Sequence, residues 1–218
     1  MTAPIDLPLW FLRDLIVVTI LSPLVYWFVK TAKFFSVLIL FVAYVLDFWV
    51  VWPGFKITAF FYYTLGAYFA VNGKNIVEFC SRYSKTVVSA MAVFFVLLLT
   101  RWIPDDYKSI ENNLFCVSAM LAVVYVASWF VVHKKAKADP LLVASCFFVY
   151  ASHAAALPIS PLRIVRMVFH FLIPGDTYWE RIFCFLFVPC ATAGMLVFVY
   201  WLLMRWFPRI GKAFCGGR

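Results

Sequence analysis

Seven long apolar runs govern what this chain can be. They occupy residues 9–29, 34–52, 57–72, 86–103, 110–132, 141–157 and 183–204. A membrane-spanning helix needs about 20 mostly apolar residues, with a range of roughly 17–25, and most of these runs meet that length. The third is short, and Pro53-Gly54 before it predicts a tight turn between two antiparallel helices. The runs are continuous, whereas a spanning barrel alternates apolar and polar residues over about ten positions at a time. The composition agrees. Hydrophobic residues make up 66% of the 218 and charged residues 13%, with a mean hydropathy of +0.94, against roughly 45–50% and 25% in soluble domains. A water-soluble fold of this size has no room to hide so much apolar surface. The 25 Phe, 11 Tyr and 9 Trp also exclude a disordered chain. The expectation is an all-α polytopic membrane bundle of seven transmembrane helices, a single domain over residues 1–218, with no internal repeat and no soluble module.

The net charge of +9 does not indicate nucleic acid, because the Lys and Arg residues fall in short clusters between apolar runs. Such clusters set topology, since cytoplasmic loops carry the excess of positive charge. Twelve basic residues collect on one side: Lys30 and Lys33; Lys74, Arg82 and Lys85; Lys134, Lys135 and Lys137; and Arg205, Arg209, Lys212 and Arg218. Seven lie on the other: Arg13, Lys56, Arg101, Lys108, Arg163, Arg166 and Arg181, together with most of the acids. A cytoplasmic C-terminus follows, and with seven spans an external N-terminus, in the inner (cytoplasmic) membrane. Met1 to Pro8 has no basic n-region and does not resemble a signal peptide. The longest break, 158–182, alternates basic and apolar residues from Pro161 to Ile173, the pattern of an amphipathic interfacial helix.

Six cysteines, at 80, 116, 146, 184, 190 and 215, lie in or beside apolar runs without a CxxC, so neither a metal site nor a disulfide frame is expected. No Walker loop, HExxH, GxSxG or GxGxxG is present. Ionisable groups inside the spans are therefore the functional candidates, because they are expensive there. Arg13, Asp47, the pair Tyr62 and Tyr63, and His153 each lie four to six residues from the outer end of their spans. At about 1.5 Å per residue that puts all of them roughly 6–9 Å deep, a layer that suggests a pocket opening outward. Each has a plainer alternative. Arg13 pairs with Asp14 or snorkels; Asp47 reaches the interface; the tyrosines belong to the aromatic belt; His153, after Ser152, joins helices by hydrogen bonds.

Four segments resemble the acyltransferase 3 family of integral-membrane O-acyltransferases, especially its Bacteroidetes-type members. They are Pro8-Leu9-Trp10-Phe11-Leu12-Arg13-Asp14-Leu15 followed by Ser22-Pro23-Leu24; Phe60-Phe61-Tyr62-Tyr63-Thr64-Leu65-Gly66-Ala67-Tyr68-Phe69; Ser145-Cys146-Phe147-Phe148-Val149-Tyr150-Ala151-Ser152-His153; and Phe207-Pro208 with the final Cys215-Gly216-Gly217-Arg218. The resemblance implies transfer of an acyl group, acetyl from acetyl-CoA or another acyl-CoA, to a hydroxyl of a sugar or cell-envelope glycan, with no bound cofactor or metal. It also implies about ten spans and a catalytic histidine near the N-terminus in a basic-x10-His pattern. The only histidines here are His133, His153 and His170, and none matches. The chain therefore resembles the last seven spans, with a separate N-terminal membrane fragment as an expected partner. Carried onto this sequence, the resemblance makes Arg13, oriented by Asp14, the electrostatic group. His153 is a second candidate for substrate contact or proton relay, and Trp10, Asp47, Tyr62, Tyr63 and Ser152 are expected around the substrate. The rival readings are a transporter-like bundle, which would call for broken helices and inverted repeats, and an inactive membrane remnant.

Overall fold

The computed structural model of the chain describes residues 9–50, 52, 54–100, 102–153, 160–173, 175 and 177–209. Within them every regular element is helical: ten α-helices and one 3₁₀ turn at Asp105–Tyr107. The chain divides into two compact units, Phe11–Ala136 and Lys137–Arg218 with the first ten residues.

In the first unit, α1 (Leu9–Ile20) and α2 (Ser22–Ala32) meet at 67°. Pro23 accounts for the bend. It lacks an N–H, and its ring crowds the carbonyl four residues back, that of Thr19. At the start of α2 it forfeits nothing, because the first N–H groups of a helix have no intrahelical partner. The run expected as one helix over 9–29 is thus a bent pair that continues to Ala32. The helix α3 (Phe34–Val45) also stops well short of the expected residue 52. Phe48 N–H donates to the Ala43 carbonyl at 2.9 Å and Asp47 N–H to the Tyr44 carbonyl at 3.3 Å, with Asp47 at φ 51. That left-handed stop satisfies the last carbonyls. Gly54, at φ 87, lies so close to α1 that a Cβ on it would sit 3.0 Å from Val17 Cγ2. Then α4 (Ile57–Val71) ends at Gly73. The pair α5 (Ile76–Arg82) and α6 (Ser84–Thr100) bends by 79°, and α7 (Lys108–Lys134) packs beside α6 through Phe95 and Phe115.

The centre of this unit is α4. Its Ile57 and Phe61 pack with Leu40 and Tyr44 of α3, the Tyr44 and Phe61 rings stacking at 5.0 Å. Another face carries Phe60, Tyr63, Ala67 and Tyr68 against Val18, Val25 and Val29 of α1 and α2. The outside is apolar: Trp, Phe, Leu and Val side chains dominate the exposed large residues, while Asp14, Ser36, Thr64, Glu111 and Ser118 are buried. This inversion suits lipid as solvent. Buried Ser118 repays its hydroxyl locally, on the Leu114 and Phe115 carbonyls.

The second unit holds α8 (Pro140–Ser152), α9 (Pro161–Leu172) and α10 (Tyr178–Trp206). Asp139, Ser160 and Thr177 cap their N-termini, Thr177 in a reciprocal box with Glu180. The helix expected from Pro161 to Ile173 is present. Phe148 of α8 meets Tyr200 of α10 at 5.7 Å, and Phe169 of α9 meets Phe187 of α10 at 6.0 Å.

Every expected apolar run overlaps a helix, the end of the run 141–157 lying outside the described residues, but not all are full crossings. Among the described residues two helices, Lys108–Lys134 and Trp179–Trp206, are long and apolar enough, and up to four spans result if each bent pair counts as one. The helices α3, α4 and α8 have 12, 15 and 13 residues, about 18–23 Å against a hydrocarbon core of roughly 30 Å. Hydropathy finds the runs; Pro23, Asp47 and Tyr83 decide where the helices stop.

Candidate active site

The first candidate feature is an ion pair on α1. Arg13 Nε and Nη2 both donate to Asp14 Oδ1, at 3.1 and 2.9 Å. Side chains one apart on a helix point to different faces, so the guanidinium folds back over its neighbour. Asp14 is fully buried, whereas 40% of the Arg13 side chain is exposed. A buried carboxylate needs such a partner. The guanidinium has five N–H donors, and those not spent on Asp14 remain for a ligand oxygen. Asp14 Oδ2 is buried without a hydrogen-bond partner among the described residues, as are Thr64 Oγ1 and Glu111 Oε1.

The second feature is an open groove of about 680 Å³ between α2 and α4. Tyr62, Tyr63, Gly66, Ala67 and Ala70 form the α4 wall, and Ser22, Val25 and Tyr26 face them from α2. The glycine and alanines leave the space; the tyrosines and Ser22 supply hydroxyls. Behind the wall, the Tyr62 hydroxyl and the Cys116 thiol are the polar neighbours of the Tyr44 hydroxyl, and the Tyr44 and Tyr62 rings meet edge to face at 5.6 Å. Arg13 and Asp14 do not belong to the groove wall. Asp47 is exposed and closes α3 through its backbone. Trp10 falls in the first turn of α1, with its side chain outside the described part.

In the second unit, half-buried Ser152 ends α8 and His153 follows it. His153 Nδ1 lies 2.7 Å from the Tyr150 carbonyl. A carbonyl oxygen only accepts, so Nδ1 carries the hydrogen, and in the neutral ring Nε2 keeps its lone pair.

The acyltransferase 3 family model, an acyltransferase domain, matches residues 2–213. The chain belongs to the acyltransferase 3 family. No curated protein and no solved structure matches it. The family match runs through α1 with its Arg13–Asp14 pair, the tyrosine groove and His153 alike. Family membership and the apolar helices together make this a membrane protein of an acyltransferase family.

The tyrosines at 62 and 63 were legible as candidates, but Ser22 and Tyr26 opposite them were not. Their signal is the i, i+4 spacing that places both on one face of α2, and it becomes meaningful only once α2 is known to lie against α4. The Tyr44–Tyr62–Cys116 contact joins three helices and has no sequence signature.

Proposed function

We propose that the chain works as an integral-membrane O-acyltransferase, moving acetyl or another acyl group from acyl-CoA to a hydroxyl of a sugar or cell-envelope glycan. The observation that supports this reading best is the Arg13 guanidinium, held by a fully buried Asp14 with donors to spare, in a chain of this family. Attack of a hydroxyl on a thioester carbonyl needs a group to take the proton and a donor for the developing oxyanion. Guanidinium in apolar surroundings suits the second role and equally the binding of phosphate. The groove beside Tyr62 and Tyr63 would hold substrate, and His153 with Ser152 would contact the acceptor or relay its proton. In this reading both units form one functional domain of seven spans in the inner membrane, N-terminus outside and C-terminus cytoplasmic. The bent pairs and short helices count as broken or partial crossings in this reading.

Membranes carrying the folded chain together with the N-terminal membrane fragment proposed as its partner, incubated with radiolabelled acetyl-CoA, should transfer label to a glycan fraction. Absence of label from every glycan fraction, with folded protein present, would refute the proposal. The bends at Leu21 and Tyr83 also favour a second reading, because transporters use broken helices around a central site. Accumulation of a labelled solute in vesicles without covalent transfer would decide for that alternative.

A further inference from the structure

An amphipathic α9 lying flat on the membrane would touch only the outermost turns of α10. Instead, the two enclose a groove of about 500 Å³ that reaches from Phe183 as far as Ala191 and Met195. Those last two residues lie about 20–25 Å along α10 from its start. The contacts run in order. Residue 148 of α8 meets residue 200, residue 169 of α9 meets residue 187, and Leu162 N–H at the start of α9 donates to the His153 carbonyl at 3.2 Å. Moving from α8 into α9 therefore means moving steadily back along α10. The helices α8 and α9 have 13 and 12 residues, about 20 and 18 Å, each too short to cross a core of roughly 30 Å. End to end they match the 29 residues of α10.

We infer that α8 and α9 are two halves of one broken membrane span, and that His153, at the break, presents the Nε2 lone pair as a hydrogen-bond acceptor for a hydroxyl-bearing substrate inside the membrane. The basic face of α9 fits this placement. Arg163, Arg166 and His170 recur at i, i+3 and i+7, away from the α10 contacts, and among the described residues neither arginine is in an ion pair. A charged stripe on a half-span lines a polar path rather than lipid, and this one runs from the Ile173 end of α9 towards its start beside His153. Holding Nδ1–H on the Tyr150 carbonyl fixes the ring orientation and directs acceptance to Nε2. The substrate assignment rests on the acyl-transfer reading; the broken span does not.

Two measurements test the inference. Spin labels at Ile164→Cys and Phe171→Cys, in a background lacking the native cysteines, report depth by relaxation with a lipid-soluble and a water-soluble agent. The broken span puts position 164 deeper than 171, by up to about 10 Å for seven helical residues; equal depths overturn it. Acyl transfer is then compared among His153→Ala, His153→Asn and His153→Gln. An Asn amide reaches the Nδ1 position and a Gln amide the Nε2 position. Loss of the Nε2 acceptor should raise the KM for the glycan acceptor roughly three- to tenfold in Ala and Asn, with Gln restoring it and kcat changing less. Rescue by Asn, indifference to Ala, or equal failure of all three would each overturn the acceptor role. If the unaltered chain, with the proposed N-terminal fragment present, transfers no acyl group, the acyl-transfer reading falls, while the depth measurement still decides the broken span.

Discussion

Replacing Arg13 by Lys separates a catalytic guanidinium from a mere anchor. Arg13 makes two bonds to one oxygen of Asp14, from Nε at 3.1 Å and Nη2 at 2.9 Å. That fork fixes the plane of the group, and therefore the direction of its remaining donors. A lysine ammonium keeps the charge beside the buried carboxylate, so Asp14 is still compensated and the chain should insert and fold. It has no plane to fix, however, and its flexible stem does not hold a second donor on a substrate oxygen. The expected loss is tenfold to a thousandfold in kcat, corresponding to about 1.4–4 kcal/mol of transition-state stabilisation. Arg13→Met is the companion. It leaves Asp14 buried and unpaired, a change that typically costs about 3–5 kcal/mol, and should lower abundance and thermal stability where Arg13→Lys does not. Transfer of labelled acetyl is measured per unit of folded protein, with abundance read by immunoblot and folding by elution in detergent. An anchoring arginine that snorkels to the interface is replaceable by lysine. Arg13→Lys with unaltered transfer at equal abundance would therefore return Arg13 to the anchors.

Gly54→Ala should destabilise the chain by about 1–2 kcal/mol, seen as a lower unfolding temperature in detergent, because φ 87 is left-handed and the new Cβ would meet Val17 Cγ2 at 3.0 Å. Gly66→Leu should fold, since a Cβ there has open space, yet fill the α2–α4 groove and raise the substrate KM about tenfold; unchanged kinetics would remove the groove from the substrate path. Asp47→Gly should stabilise by up to about 1 kcal/mol, since glycine adopts φ 51 without strain, and should leave turnover unchanged; a loss of rate would instead mark its carboxylate as functional. A reporter fused after Arg218 should read cytoplasmic and one inserted at Gly175 external, and the reverse pair would overturn the assigned orientation.

The parts legible in the sequence are those written in neighbouring residues. Continuous apolar runs favour helices whatever the tertiary arrangement, and each of them overlaps a described helix, though only two of those helices are long and apolar enough to cross by themselves. The adjacency of Arg13 and Asp14 likewise suggests their bond without any knowledge of the fold. What stays hidden depends on backbone geometry or on a second helix. A hydropathy window reads Leu46 to Val50 as more span, although Asp47 turns left-handed and ends α3 there. It averages over Pro23 and Tyr83, where the axis swings by 67° and 79°. Those bends matter for function, because they supply the broken helices whose absence would otherwise argue against a transporter.

The amphipathic pattern of α9 shows the limit most plainly. One polar face and one apolar face describe a helix floating at the headgroups, and describe equally a half-span with its polar face to an aqueous path. Periodicity is the same in both. Only the contacts decide, and here Phe169 on Phe187, with the groove reaching Met195, carry α9 along α10. The physical difference is where the arginines end up: at the surface they would serve as lipid anchors, and beside a membrane break they would line the approach to His153.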